Sequence, residues 1–174
     1  MKTKLNLLCT ALVIGFAITS TAAEKSDVPT TSPEFAQMKT LVGKWTGKAD
    51  MGQGPVEMTL EYRLIAGGSV LEERCQPGTP QEMVTMYYDQ KGKLAMTHYC
   101  VFGNRPMMKL KSWDGKTIKF DFDPTCGINT KKESHMHAVS ITFDDKDTIT
   151  TSAVAMIEGA EQPCSPAVMK RVKE

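Results

Sequence analysis

The chain has 174 residues, with 21 basic and 20 acidic side chains and a formal net charge of +1. That balance argues against nucleic acid or an anionic membrane surface as the main partner, both of which require a basic footprint. The length suits one domain with a real core, and no segment beyond the N-terminus is apolar and long enough to span a bilayer.

The chain opens with a basic start, Lys2 and Lys4. An apolar run from Leu5 to Ile18 follows, broken by Asn6, Cys9, Thr10 and Gly15, and then the small residues Thr19 to Ala23 precede Glu24. A positive region, a short apolar region and a small-residue cleavage site form the pattern of a secretory signal peptide. The run is shorter than the roughly 18 apolar residues of a membrane span. Residues 1–23 are therefore expected to be a signal peptide cleaved near Ala23, and the product periplasmic or secreted. Removing 23 residues leaves 151, and losing Lys2 and Lys4 leaves 19 basic against 20 acidic groups, a net charge of −1. Residues 24–34, with Pro29 and Pro33, read as a flexible lead-in to a domain spanning 35–174. Around that junction, Pro33 to Met38 suits one or two helical turns, with Ser32 as N-cap.

The period then switches to two. Val56, Met58, Leu60 and Tyr62 alternate with polar residues, and so do Leu94, Met96, His98 and Cys100. The same holds for Ile118, Phe120 and Phe122, and for Val139, Ile141 and Phe143. Alternation of this kind marks half-buried strands. Gly67-Gly68, Asp89 to Gly92, Asp114-Gly115 and Asp144 to Asp147 supply hairpin turns. Ten strands are expected, near 43–49, 56–64, 69–75, 83–88, 93–101, 106–112, 116–122, 135–143, 148–157 and 167–172. The fold class is all-β: a ten-stranded antiparallel up-and-down β-barrel with a short N-terminal helix. Closure is the simplest way for such a meander to remove its exposed edges.

Leu41-Val42-Gly43-Lys44-Trp45 opens the first strand. This G-x-W start resembles that of the calycin superfamily, which includes the lipocalins and fatty-acid-binding proteins. The resemblance implies a tryptophan, Trp45, packed at the closed end of the barrel under a basic side chain of the last strand, here Arg171, with Gly43 beside it. Further along come Thr97-His98-Tyr99-Cys100, Gly103-Asn104-Arg105-Pro106 and His135-Met136-His137. Together they resemble an uncharacterised family of bacterial calycin-like domains, often exported. That resemblance implies the barrel and a ligand cavity and carries no activity.

Strand direction places the three histidines at one end. His98 and Cys100 lie near the top of the fifth strand, and His135 and His137 open the eighth from the same end. Alternation turns all four inward, with Asn104 and Arg105 on the adjacent turn. Three imidazoles and a thiol suit a zinc, copper or haem site through His98, His135 and His137. They equally suit the polar end of a pocket for an organic ligand, or histidines satisfied within a core.

Four cysteines remain after the signal, all expected near the top rim in an oxidising compartment. Cys126 and Cys164 are expected to pair, leaving Cys75 with Cys100. The second bridge competes with Cys100 as a ligand. Glu72 and Glu73 are adjacent on a strand, so they point to opposite faces and read as surface and rim charges. No Ser-His-Asp spacing, phosphate loop or paired carboxylate motif supports catalysis. The sequence favours an exported protein that holds a small apolar or amphipathic molecule in a barrel. A metal or haem protein and a structural envelope domain with a filled barrel are the alternatives.

Overall fold

A computed structural model describes residues 31–50 and 54–173. The expected signal peptide, residues 1–23, and most of the lead-in lie outside the described residues. A short helix, α1 (Pro33–Lys39), precedes the strands β1 (Gly43–Asp50), β2 (Pro55–Ile65), β3 (Val70–Cys75), β4 (Met83–Gln90) and β5 (Lys93–Tyr99). They continue as β6 (Met107–Trp113), β7 (Thr117–Phe122), β8 (His135–Phe143), β9 (Thr148–Ile157), β10 (Ala160–Pro163) and β11 (Ala167–Arg171). Each strand from β1 to β9 pairs antiparallel with the next, and β11 pairs with both β9 and β1, which closes the barrel.

The barrel has ten staves, as expected from the alternation. The eleventh strand segment is part of the last stave. β10 and β11 lie end to end on one edge of β9, because Pro163 faces Val154 and Ala167 faces Thr151. Four steps on one side match three on the other, so the stave carries a one-residue bulge around Cys164-Ser165-Pro166. Pro166 has no amide hydrogen to give to a ladder, which favours the break there.

The helix forms where Ser32 accepts a hydrogen bond from the Phe35 amide at 3.1 Å and Pro33 fits the first helical position. It begins two residues before the expected start of the domain. Ser32 also donates to Asp89 at the β4–β5 turn, its amide at 2.7 Å and its hydroxyl at 2.6 Å. The helix is thereby tied across one end of the barrel, and its inner face buries Phe35 and Met38, with Leu41 just beyond.

Trp45 is buried at that end, and its indole N–H donates to the Leu41 carbonyl at 2.7 Å. The Arg171 guanidinium lies 4.2 Å from the Trp45 ring centroid, and the two residues are register partners on β1 and β11. It also donates to the carbonyls of Val42 at 2.7 Å and Thr40 at 2.8 Å. Gly43 has φ +125°, and a Cβ there would sit 3.2 Å from the Arg171 guanidinium. These contacts seal one end. Above the seal the interior is filled by Leu71, Leu94, Met96, Met108, Ile118, Phe120, Ile149 and Met169, all essentially buried.

Candidate functional site: a polar row beneath an inner cavity

Cross-strand register builds the site. Tyr62 faces Glu73, Glu73 faces Thr85, and Thr85 faces His98, on β2, β3, β4 and β5 in turn. Partners facing one another across neighbouring strands share a face, so the four side chains form one inward row. Barrel strands are tilted, and the row therefore rises from the sealed end at Gly43 toward the open end at His98.

The row is hydrogen-bonded along its length. The Tyr87 hydroxyl donates to Glu73 Oε2 at 2.8 Å, and Thr85 Oγ1 is 3.5 Å from Glu73 Oε1, a long contact. Thr85 Oγ1 is 2.9 Å from Nδ1 of His98. Two polar atoms remain without a partner: the Tyr62 hydroxyl, beside the Glu73 carboxyl but outside hydrogen-bond geometry, and Nε2 of His98. A buried polar atom left unpaired is uncommon and energetically costly, so these two are notable.

Burial sets the charge states. Loss of solvent lowers His98 to about 4, which leaves its imidazole neutral at neutral pH. The same cause raises the Glu73 carboxyl, opposed by its hydrogen bonds, and raises the Tyr62 and Tyr87 phenols well above their ordinary value. Burial, with the nearby Glu73 charge, pushes the Cys75 thiol up to about 12.

A cavity of about 270 Å³ lies over this row. Its apolar wall includes Met58, Leu60, Met83, Met96, Val139 and Ile141, and its polar groups include Glu73, Thr85 and His98. Gln76 and Gln81 of the β3–β4 loop and Ser165 of the bulged stave also line it. A larger concavity of about 530 Å³, bordered by Lys44, Glu61, Arg63, Arg74 and Arg171, lies elsewhere. Its charges are already engaged in the pairs Lys44–Glu61, Arg63–Glu72, Arg74–Glu82 and Arg171–Asp147. The inner cavity, with its unpartnered imidazole nitrogen, is the stronger candidate.

The structure divides the residues singled out from sequence. His98 takes the expected inward position. His135 and His137 do not line the cavity, because β8 carries a bulge: Met136 faces Ala155 and Ala138 faces Val154, leaving His137 as the extra residue. The bulge shifts the alternation and turns Met136 into the cavity instead. His135 is wholly buried, its Nε2 3.2 Å from Nδ1 of His137, and both rings pack on Phe122. Among the described residues, no group of three or more His, Cys, Asp or Glu side chains could hold a metal ion.

Cys100 follows β5 at the start of a turn, where its amide donates to the Asn104 carbonyl at 3.0 Å, and it is not part of the cavity wall. Asn104 ties this turn to the start of β8 by donating to the Ser134 carbonyl at 2.8 Å, and Arg105 is exposed. Neither expected disulfide is present, and Cys75, Cys100, Cys126 and Cys164 are all free thiols. Cys75 faces Met83, and Tyr99 faces Val84, so Cys75 and the residue after Tyr99 stand two strands apart. Two strand spacings amount to roughly 9–10 Å, beyond the roughly 7 Å reach of a disulfide. Cys164 lies in the bulge and lines the cavity, whereas Cys126 ends a 3-10 turn after β7.

Glu73 is a cavity residue that the sequence alone left among the surface and rim charges. Glu72 is an outward residue paired with Arg63 at 2.7 Å, but its neighbour Glu73 is no rim charge. It points inside, between the inward Leu71 and Cys75 on the same strand. That alternation, Leu71-x-Glu73-x-Cys75, was the signal available in the sequence.

No family model and no curated protein matches this chain. The barrel is similar to the crystal structure of a protein of unknown function from the DUF3598 family of Nostoc punctiforme, with a TM-score of 0.54 and 13% identity. The match covers 78% of this chain and 49% of that one, so the chain spans about half the length of that protein. At this identity the likeness shows the fold alone. No helix among the described residues is long and apolar enough to cross a membrane.

Proposed function

We propose that the chain is an exported, calycin-like small-molecule-binding protein whose site is the inner cavity above the Tyr62–Glu73–Thr85–His98 row. One observation carries this reading: a cavity of about 270 Å³ whose wall contains a buried histidine with an unpartnered nitrogen. Sites for small molecules combine an apolar wall with a few convergent polar groups, and this cavity does the same. Its volume lies just below the roughly 300–1,000 Å³ common for ligand pockets and corresponds to roughly nine water volumes. It therefore suits a molecule of one ring or a short branched chain, and it does not enclose a porphyrin.

The wall chemistry agrees with an adaptable binder. Met58, Met83, Met96 and Met136 all contribute, and thioether side chains reshape easily around different apolar groups. Two bulges flank β9 beside the cavity, at His137 and near Cys164, and bulges often re-aim side chains next to sites.

Calorimetric titration with toluene and benzyl alcohol tests the reading. Saturable binding is expected, and it is lost in Ala153→Phe, which fills the cavity from its wall. Absence of binding by both compounds, and by benzylamine and benzoate of the same shape, contradicts the proposal. N-terminal sequencing of the protein recovered from the exporting cell tests the other half: a start at Glu24 is expected, and a start at Met1 contradicts export.

A further inference from the structure

The cavity carries a single carboxyl group. Of the side chains on its wall, Glu73 alone is a carboxylate, and no lysine or arginine among the described residues lines it. None of the ion pairs among the described residues includes Glu73. An ionised carboxylate in such a place is costly unless a cation joins it. The other charged residues of β3 point away, Glu72 to Arg63 and Arg74 to Glu82. A cation that pairs with this carboxylate therefore comes from outside the described residues.

Hydrogen-bond direction leads to the same ligand. With Glu73 ionised, its oxygens only accept, so the Tyr87 hydroxyl donates to Oε2 and the Thr85 hydroxyl is drawn toward Oε1. Thr85 has one hydrogen. Once that hydrogen points to Glu73, the 2.9 Å contact with His98 requires the Nδ1–H of His98 to donate to Thr85 Oγ1. A neutral imidazole has one N–H, and Nε2 is then an acceptor on the cavity wall with no partner. The empty site thus offers two acceptors on its wall, a carboxylate and an imidazole nitrogen, with no cation beside them.

Resting on the binding-site reading above, we infer that the ligand is a small apolar amine, bound as its ammonium ion between Glu73 and Nε2 of His98. An ammonium group supplies the missing charge and up to three N–H donors. The methionine-rich wall, with Leu60, Val139 and Ile141, takes its hydrocarbon part. Ammonium binding also fixes the donor order along Glu73, Thr85 and His98.

The test compares four molecules of one shape by calorimetry on the chain lacking residues 1–23: benzylamine, benzyl alcohol, toluene and benzoate. Benzylamine is expected to bind about tenfold or more tighter than benzyl alcohol, as suits a charge-assisted over a neutral hydrogen bond, with benzoate weakest. In Glu73→Gln, which keeps the shape of the side chain, that preference is expected to fall to about one. The wild-type comparison needs no variant, so a misfolded Glu73→Gln does not leave the inference untested. Binding of benzyl alcohol or toluene with no preference for benzylamine overturns the amine inference and leaves the cavity reading standing. An amine preference that persists in a folded Glu73→Gln overturns it as well. Failure of all four molecules to bind overturns the cavity reading, and the inference with it.

Discussion

Thr85 and His98 face one another across β4 and β5, with Thr85 Oγ1 2.9 Å from Nδ1 of the imidazole. The contact orients the imidazole, and burial, which keeps it neutral, sets how stability should respond to acid. The unfolded imidazole has its ordinary value near 6.5, whereas in the fold burial lowers it to about 4. Between those values the unfolded chain binds more protons than the folded one. The contribution of His98 is therefore complete above pH 6.5 and is lost as pH falls toward 4. The full loss is on the order of 3 kcal/mol. Urea unfolding at pH 7 and pH 4.5 checks this: His98→Leu should flatten the loss seen in the wild type. An equal loss in both proteins would show that other groups cause it.

Glu73 works in the opposite sense. Its carboxyl is raised above the ordinary 4.5, so its contribution is complete below 4.5 and is lost as pH rises through the folded value. Glu73→Gln is expected to raise the melting temperature at pH 7, with the gain shrinking as pH falls below 4.5. A residue whose replacement stabilises the empty protein is the signature of a site kept at some expense to the fold. Thermal denaturation at pH 7 and pH 4 measures it, and a variant less stable at both values would refute the assignment.

The sealed end makes an independent prediction. Arg171 stacks on Trp45 and caps the carbonyls of Thr40 and Val42, so Arg171→Met loses the cation and leaves those carbonyls unpaired. The expected cost is about 2–4 kcal/mol in denaturant unfolding. Arg171→Lys should recover only part of it, since an ammonium cannot reproduce the planar fork.

Gly47 has no room for a side chain. A Cβ there would lie 2.3 Å from the Val168 carbonyl oxygen and 2.7 Å from Met169 Sδ, on the β1–β11 seam. Gly47→Ala is expected to cost about 3 kcal/mol or more by forcing this seam apart. A change below about 0.5 kcal/mol would mean that the seam is looser than described.

How far the sequence foretells these features depends on what each one requires. Alternation in residues 56–62, 94–100 and 118–122 carries strand and facing together, so the ten staves and the inward His98 were legible. The pairing of Trp45 with Arg171 needed only the resemblance of Gly43-Lys44-Trp45 and the direction of the last strand. The His135–His137 placement failed at one bulge, because a single extra residue reverses a period of two and nothing in His-Met-His marks it. The Cys75–Cys100 bridge failed on lateral spacing, which depends on register rather than on which end of a strand a cysteine occupies. Glu73 was passed over because a carboxylate on a strand reads as surface until its neighbours Leu71 and Cys75 are seen to share its face.

Whether Glu73 and His98 anchor a ligand in the cavity can be read from the imidazole itself. Nitrogen-15 NMR of the histidine side chains at neutral pH, with and without benzylamine, tests it most directly. A neutral His98 with a proton on Nδ1 and a bare Nε2 is expected in the free protein, with a shift confined to Nε2 as the amine is added. A proton already on Nε2, or an imidazole signal unchanged at saturating benzylamine, would contradict it.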